Sequence, residues 1–387
     1  MRGEELMQKK RIWTFVLITI AIILLAILMI SYDWEQVNSY EQYNTSTLSY
    51  VSGTVVSIEK EELTKDSYED SRYFGTQKVV VEIHEGTYED QEVSITNYLS
   101  NTLNIKVSEG QRVIVCVDQP ENAETYFTIF NYDRSGSLVV ILGIFVLGML
   151  LVGGMKGLRA VESLVFTMIM ILFFLVPGIY HGMQVIPMTI IVLLIVVVCA
   201  VFLLNGLEKK TLLFAASTMT GLLIAAGFCA VCQSLLHING YNFSEVESLL
   251  LISQSTGLEV KHLLFAGVLI SSMGAVMDVG VSIVSALTEV KKANPEQSKK
   301  ALFTAGMNIG KDMLGTMSNT LILAFTGTTL TTVLLLIAFG YQPLQLLNSD
   351  YLTMEIVRGV SSTFAVIMTV PAASGISAIF IKDNIER

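Results

Sequence analysis

Charge is scarce in this sequence. Asp, Glu, Lys and Arg make up 15% of 387 residues, against about 25% in an ordinary soluble domain. Together with 52% hydrophobic residues, that scarcity excludes a conventional soluble enzyme and points to a chain that crosses a membrane many times. Cysteine is scarce as well. Cys199, Cys229 and Cys232 lie in apolar runs, and Cys116 stands alone in the polar part of the chain. No internal disulfide can staple that part. Cys229 and Cys232 form a CxxC, but inside an apolar helix candidate, without the exposed thiolates that redox or metal chemistry needs. Core packing is the expectation for both. His181, His237 and His262 form no HExxH or other spaced ligand set, which argues against a zinc protease and leaves no metal site expected. No P-loop, GxSxG or kinase signature is present, so no familiar ATPase or hydrolase motif is available and no cofactor is implied.

What the chain has in quantity is apolar sequence. Eight runs are long enough to cross a bilayer, which takes about 20 mostly apolar residues: 12–31, 138–154, 163–179, 185–204, 212–236, 263–287, 316–339 and 357–380. Backbone polar groups find no water in lipid, so each is expected to be a helix. The first is expected to be a retained anchor rather than a cleaved signal, because its apolar core is long and no small-x-small site follows it. Lys and Arg then fix the orientation. Arg2, Lys9, Lys10 and Arg11, then Lys156 and Arg159, Lys209 and Lys210, Lys291 to Lys300, and finally Lys382 and Arg387 all fall on one side if there are eight spans. The opposite short loops carry only Lys261 and Arg358. Both termini are therefore expected in the cytoplasm, with residues 32–135 on the outer side of the membrane.

The outer segment holds the acidity. It contains 19 acidic and 7 basic residues, a net of −12 against −10 for the whole chain. Nucleic acid is excluded as a partner, since its binding rests on basic contacts. Runs rich in β-branched and aromatic residues at 48–58, 78–84, 91–96, 112–117 and 125–130, punctuated by Gly75, Gly86, Gly110 and Pro120, predict five short strands. Such a set suits a small β-barrel-like domain of OB type. The run 59–70 is expected to be a charged loop, and 246–252 a short interfacial helix. The domain expectation is thus 1–31 as tail and first helix, 32–135 as the outer β domain, and 136–387 as a seven-helix membrane domain.

Ionisable residues inside a span are costly and mark functional candidates. In the sixth span Ser271, Ala275, Asp278, Ser282, Ser285 and Glu289 recur at spacings of three and four, which is one small, polar face of a helix. In 306–320, Asn308, Asp312, Gly315 and Asn319 also share a face, with Lys311 beside Asp312. Gly306, Gly310 and Gly315 interrupt that segment as glycines do in the broken helices of transporters. The two segments flank one short loop, so they are expected to be antiparallel neighbours. Carboxylates with amide oxygens would suit a cation or a proton; a Lys311 pairing would instead suit a gate or a structural tie. Asp278, Ser282, Asn308, Lys311, Asp312 and Asn319 are therefore the candidate intramembrane polar site. The competing expectation is that Asp278 is a packing residue and 306–320 an amphipathic cytoplasmic helix.

The segments LLFAGVL, GAVMDVGVSIVSALTEV followed by ANP, and GMNIGKDMLGTMSNTLILAFTG resemble the YibE/F-like family of bacterial multi-pass membrane proteins. An N-terminal anchor, an outer β domain and seven further helices are similar to that family as well. Where the family pattern has Arg-Asp, this chain has Lys311-Asp312, which keeps the charge and loses the bidentate fork. The resemblance implies a membrane location and an architecture, and no substrate. The functional expectation is a secondary transporter or permease for a small ion or proton. The alternatives are a non-catalytic scaffold or envelope assembly factor whose outer domain binds an extracytoplasmic partner and, ranked last, an intramembrane enzyme acting on lipid, for which no nucleophile–base pair is visible.

Overall fold

The computed structural model describes residues 47–69, 71–120, 123–206, 209–238 and 246–381. The expected first span at 12–31, the basic residues before it, and Lys382 and Arg387 lie outside the described residues. The chain divides into two compact units, a β unit at Glu41–Gly148 and a helical unit that includes Met149–Arg387.

In the β unit five strands form one antiparallel sheet: β1 (Leu48–Lys65), β2 (Tyr73–Ile83), β3 (Glu92–Leu99), β4 (Arg112–Asp118) and β5 (Tyr126–Tyr132), in the order β3-β2-β1-β4-β5. Every second residue faces the core, as a strand's period of two requires. Val51 and Val55 on β1, Val79, Val81 and Ile83 on β2, Ile95 on β3, and Val113, Val115 and Val117 on β4 are all buried there with Val107 and Ile129. Two irregularities, between Val55 and Ser57 and between Ile58 and Lys60, bend the long first strand. The edges β3 and β5 come within 8 Å of each other at the Cα level, so the sheet curls into a half-barrel.

The segment at 59–70 departs from expectation. It is not a loop through Lys65: β1 continues and pairs with β2 from Lys60↔Lys78 to Lys65↔Tyr73. Its charges do not oppose a strand because they stand on exposed positions and pair with neighbouring strands and loops. Lys78 reaches Glu59 at 2.8 Å and Lys106 reaches Glu61 at 3.4 Å. At the hairpin Gly75 has φ +125° and lies against the Glu62 carbonyl, a place no Cβ could occupy.

A buried amide pair pins the 100–111 loop to the sheet. Gln77 Nε2 donates to the Val107 carbonyl at 3.0 Å, and Gln77 Oε1 accepts from Val107 N–H at 3.0 Å. Asn97 Nδ2 donates to the Ile105 carbonyl at 2.7 Å. The two polar side chains are satisfied by backbone groups that would otherwise be orphaned.

The helices are α1 (Ser135–Met170), α2 (Val176–Tyr180), α3 (Val185–Asn205), α4 (Lys209–Leu235), α5 (Val246–Thr256), α6 (Leu263–Ala293), α7 (Lys299–Ala338), α8 (Pro343–Leu347) and α9 (Asp350–Phe380). Among the described residues six stretches are long and apolar enough to cross a membrane: Ser135–Tyr180, Val185–Leu204, Lys210–Leu235, Val260–Ala293, Lys299–Ala338 and Asp350–Phe380. Two of the eight expected spans, 138–154 and 163–179, fall within the first of these. That stretch is interrupted at Gly154, where φ is 53° and ψ −132°. It widens again into a π turn at Ile171–Leu175, just before Pro177. Proline lacks the N–H for a ladder bond and its ring crowds the carbonyl four residues back, so the turn opens.

In the helical unit α9 is the hub, packed against α4, α6 and α7, while α4 and α6 also pack together. Its buried side is mostly small, with Ser361, Ser362, Thr363, Ala365, Thr369, Ala373, Ser374 and Ser377 beside the larger Met354, Val357, Val366 and Val370. Small residues let backbones approach closely in an apolar setting. Glycines answer them. A Cβ on Gly306 would lie 2.8 Å from Leu287 Cδ1 of α6 and would also crowd the Ser374 hydroxyl, and one on Gly310 would overlap Val370. Gly221 of α4 is wedged between Val276 of α6 and Thr369 of α9.

Candidate intramembrane polar site

On α6 the buried residues Val276, Val279, Gly280, Ile283, Val284 and Leu287 form one stripe. At 100° per residue Asp278 and Ser282 project from the opposite side, and both are exposed, while Ser271, Ala275 and Ser285 are half-buried. Ser271 Oγ meets Ser362 Oγ of α9 at 3.1 Å. On α7, Leu302, Gly306 and Gly310 are buried, and Asn308, Lys311, Asp312, Gly315 and Asn319 lie half a turn away, all exposed. Both polar faces read from the spacing therefore exist as faces. Each is turned away from the packed side of its own helix.

Interhelical contacts set the depth of these residues. Gly306 lies beside both Leu287 and Ser374, Gly310 beside Val370, and Gly359 beside Phe325, so α7 runs antiparallel to α6 and α9. Asp278, nine residues from Leu287, is level with Gly315, nine residues from Gly306. Asp312 is three residues away, about 4.5 Å along the axis. Gly310 meets Val370 in the buried middle of α9. Asp278, Lys311 and Asp312 thus share one layer at mid-height of the helical unit. Among the described residues, no side-chain hydrogen bond or ion pair joins any of the six candidates to one another. The two faces lie on neighbouring helices, and the six side chains are not in contact with one another.

Two further polar features were not singled out from the sequence. The first is an ion pair inside α9, Arg358 Nη1 to Glu355 Oε1 at 2.5 Å, half-buried beside Gly267 of α6. Arg358 was expected in an outer loop, but α9 begins at Asp350, capped by the Ser349 hydroxyl accepting from Leu352 N–H. The i,i+3 spacing of Glu355 and Arg358 was the available signal. The second is a set of fully buried hydroxyls, Ser217 and Thr218 on α4 and Ser374 and Ser377 on α9, whose oxygens make no hydrogen bond. Thr369 and Thr363, by contrast, back-bond to carbonyls four residues earlier. Cys229 is buried among Leu264, Val268, Met354 and Val357, with Cys232 packed against the same cluster. Among the described residues no group of three or more His, Cys, Asp or Glu is placed to hold a metal ion.

Comparison with known proteins gives one consistent result. The family model described as YibE/F-like protein matches residues 141–383, and that described as YibE/F family N-terminal domain matches residues 49–132. No curated protein and no solved structure matches the chain. The two matches follow one another as the β unit and the helices do, and together they take in nearly every described element. The chain belongs to the YibE/F family.

Proposed function

We propose that this protein is a secondary transporter or permease of the bacterial plasma membrane, moving a small ion or proton through a polar site built by Asp278, Ser282, Asn308, Lys311, Asp312 and Asn319. What supports this reading is that Asp278, Lys311 and Asp312, counted along α6 and α7 from the Gly306–Leu287 approach, fall within about 5 Å of one depth. An ionisable group at the centre of a bilayer costs at least about 2.5–3.5 kcal/mol unless shielded. Three such groups in one layer are a cost that a passive anchor has no reason to bear.

In this reading the chain crosses eight times. The Ser135–Tyr180 stretch has 46 residues, about 69 Å at 1.5 Å per residue, more than twice the roughly 30 Å hydrocarbon core. With its break at Gly154 it makes two passes, and residues 12–31 supply the remaining one. Lys156 with Arg159, Lys209 with Lys210, and Lys291 to Lys300 then share the cytoplasmic side. The β unit is read as standing outside as an OB-like domain: five strands in the order β3-β2-β1-β4-β5 whose outer strands approach suit a five-stranded, partly open barrel.

Flux in proteoliposomes tests the proposal. Asp278→Asn should abolish ion- or pH-dependent flux at unchanged protein level and insertion. Undiminished flux would exclude Asp278 from the pathway. A second reading, a membrane scaffold, draws on the outward-turned aromatics Tyr50 and Phe130, stacked edge-to-face at 4.9 Å on the β unit. It predicts that the outer domain captures an envelope partner and that Asp278→Asn leaves function intact.

A further inference from the structure

Of the described helices that pack on the hub, α7 is the least covered, and its uncovered side is the one that carries charge. Leu302, Gly306 and Gly310 are buried against α6 and α9, while Asn308, Lys311, Asp312 and Asn319 are exposed on the far side. Lys311 and Asp312 sit level with the buried middle of α9. Hydrocarbon at that depth disfavours a bare ammonium and a bare carboxylate alike, so something must cover them.

The cover has to answer a cation and an anion within one turn. Several apolar runs of this chain cannot do so: 12–31, 135–154 and 185–204 contain no Asp, Glu, Lys or Arg. Glu355 and Arg358 already satisfy each other. A second copy of α7 does answer it. Across a twofold axis one surface faces itself, so residue i meets j while j meets i. The adjacent Lys311 and Asp312 are self-complementary under that operation. Asn308 and Asn319 flank them with amides able to pair across helices. Gly315, between them, has nothing within 4 Å of where a Cβ would stand, which leaves room for two backbones to approach.

We infer that two copies of this chain associate through the polar face of α7, Lys311 of each pairing with Asp312 of the other. This rests on α7 being a membrane span, as the proposed function takes it to be, but not on transport itself. It gives that site its missing wall: the carboxylate and amides of α7 are shielded by the other copy.

Two measurements on the full chain test it. In a background of Cys116→Ser, Cys199→Ala, Cys229→Ala and Cys232→Ala, Gly315→Cys should cross-link on oxidation in native membranes to twice the chain's mass. Leu223→Cys, exposed on α4, should not. Native mass spectrometry of the unsubstituted protein should give a dimer. Lys311→Asp alone and Asp312→Lys alone should each weaken dimerisation at least tenfold, and the two combined should restore it. A monomeric protein with no Gly315→Cys cross-link overturns the inference, whether lipid, residues 12–31 or a different protein covers the face. A combined reversal as monomeric as either single one overturns the pairing. The transport reading fails separately: Asp278→Asn should stop flux and leave the dimer intact. A dimer whose flux ignores Asp278→Asn refutes transport through that site alone, and a monomer whose flux requires Asp278 refutes association alone.

Discussion

At the scale of single residues the β unit and the helices obey different rules about polar groups. Gln77 and Asn97 are buried and hydrogen-bonded to backbone groups, so removing either strands its own partners. Gln77→Ala would leave the Val107 N–H and carbonyl unmatched. An unsatisfied buried group costs about 1–3 kcal/mol. The expected outcome is loss of protection at the 105–107 amides in hydrogen exchange, with the helices unaffected. Asp133 gives a pH prediction. Its carboxylate accepts from the Ser135 hydroxyl and from Ser135 N–H, with Arg112 nearby at 3.7 Å. The hydroxyl first, then the backbone bond, hold its acidity below the usual carboxylate range against the opposing effect of burial. A carboxyl with a lowered folded value stabilises the folded state fully above the unfolded value, about 3.9. It loses that contribution as pH falls through the folded value. Ser135→Ala should move the Asp133 carbon-13 titration upward; an unchanged midpoint would remove the hydroxyl as the cause.

At the scale of elements the glycines of α7 make a sharp contrast. Gly310 abuts Val370, whereas Gly315 faces open space. Gly310→Val should destabilise the α7–α9 packing by about 1–3 kcal/mol, the usual cost of overfilling a packed site. Gly315→Ala should be neutral or slightly stabilising for the helix. Thermal inactivation of the purified chain separates the two, and equal effects would contradict the packing described. This scale also shows what could be read in advance. β3 to β5 and the part of β2 from Lys78 were legible because apolar residues alternate along them, whereas Gly75, expected at a turn, lies inside β2. The second half of β1 was not, because Glu59 to Lys65 has no apolar alternation and is a strand only through its pairing with β2. The polar faces of α6 and α7 were legible from spacing alone. That they turn outward was not, since α7 is oriented by Gly306 against Ser374 and Gly310 against Val370, and α6 by Val276 against Gly221 and Gly280 against Thr218, contacts between segments some 55 to 70 residues apart.

For the whole molecule, composition and the apolar runs were enough to announce a polytopic chain with one acidic segment between them. The two-unit division and the six candidate spans among the described residues agree with that much. The two apolar runs expected at 138–154 and 163–179 fall in one stretch interrupted at Gly154, where the sequence changes from apolar to basic. The packing scheme has a consequence for electrical behaviour. Lys311 and Asp312 are adjacent, so their opposite charges nearly cancel, and that turn of α7 should feel little net force from a membrane voltage. Asp278 has no neighbouring counter-charge on α6 within two turns. While ionised, it is the group in that layer on which the field does net work, about 2.3 kcal/mol per 100 mV for a full crossing. Any step that shifts Asp278 in depth should therefore be voltage-sensitive, and one that shifts only the Lys311–Asp312 turn should not.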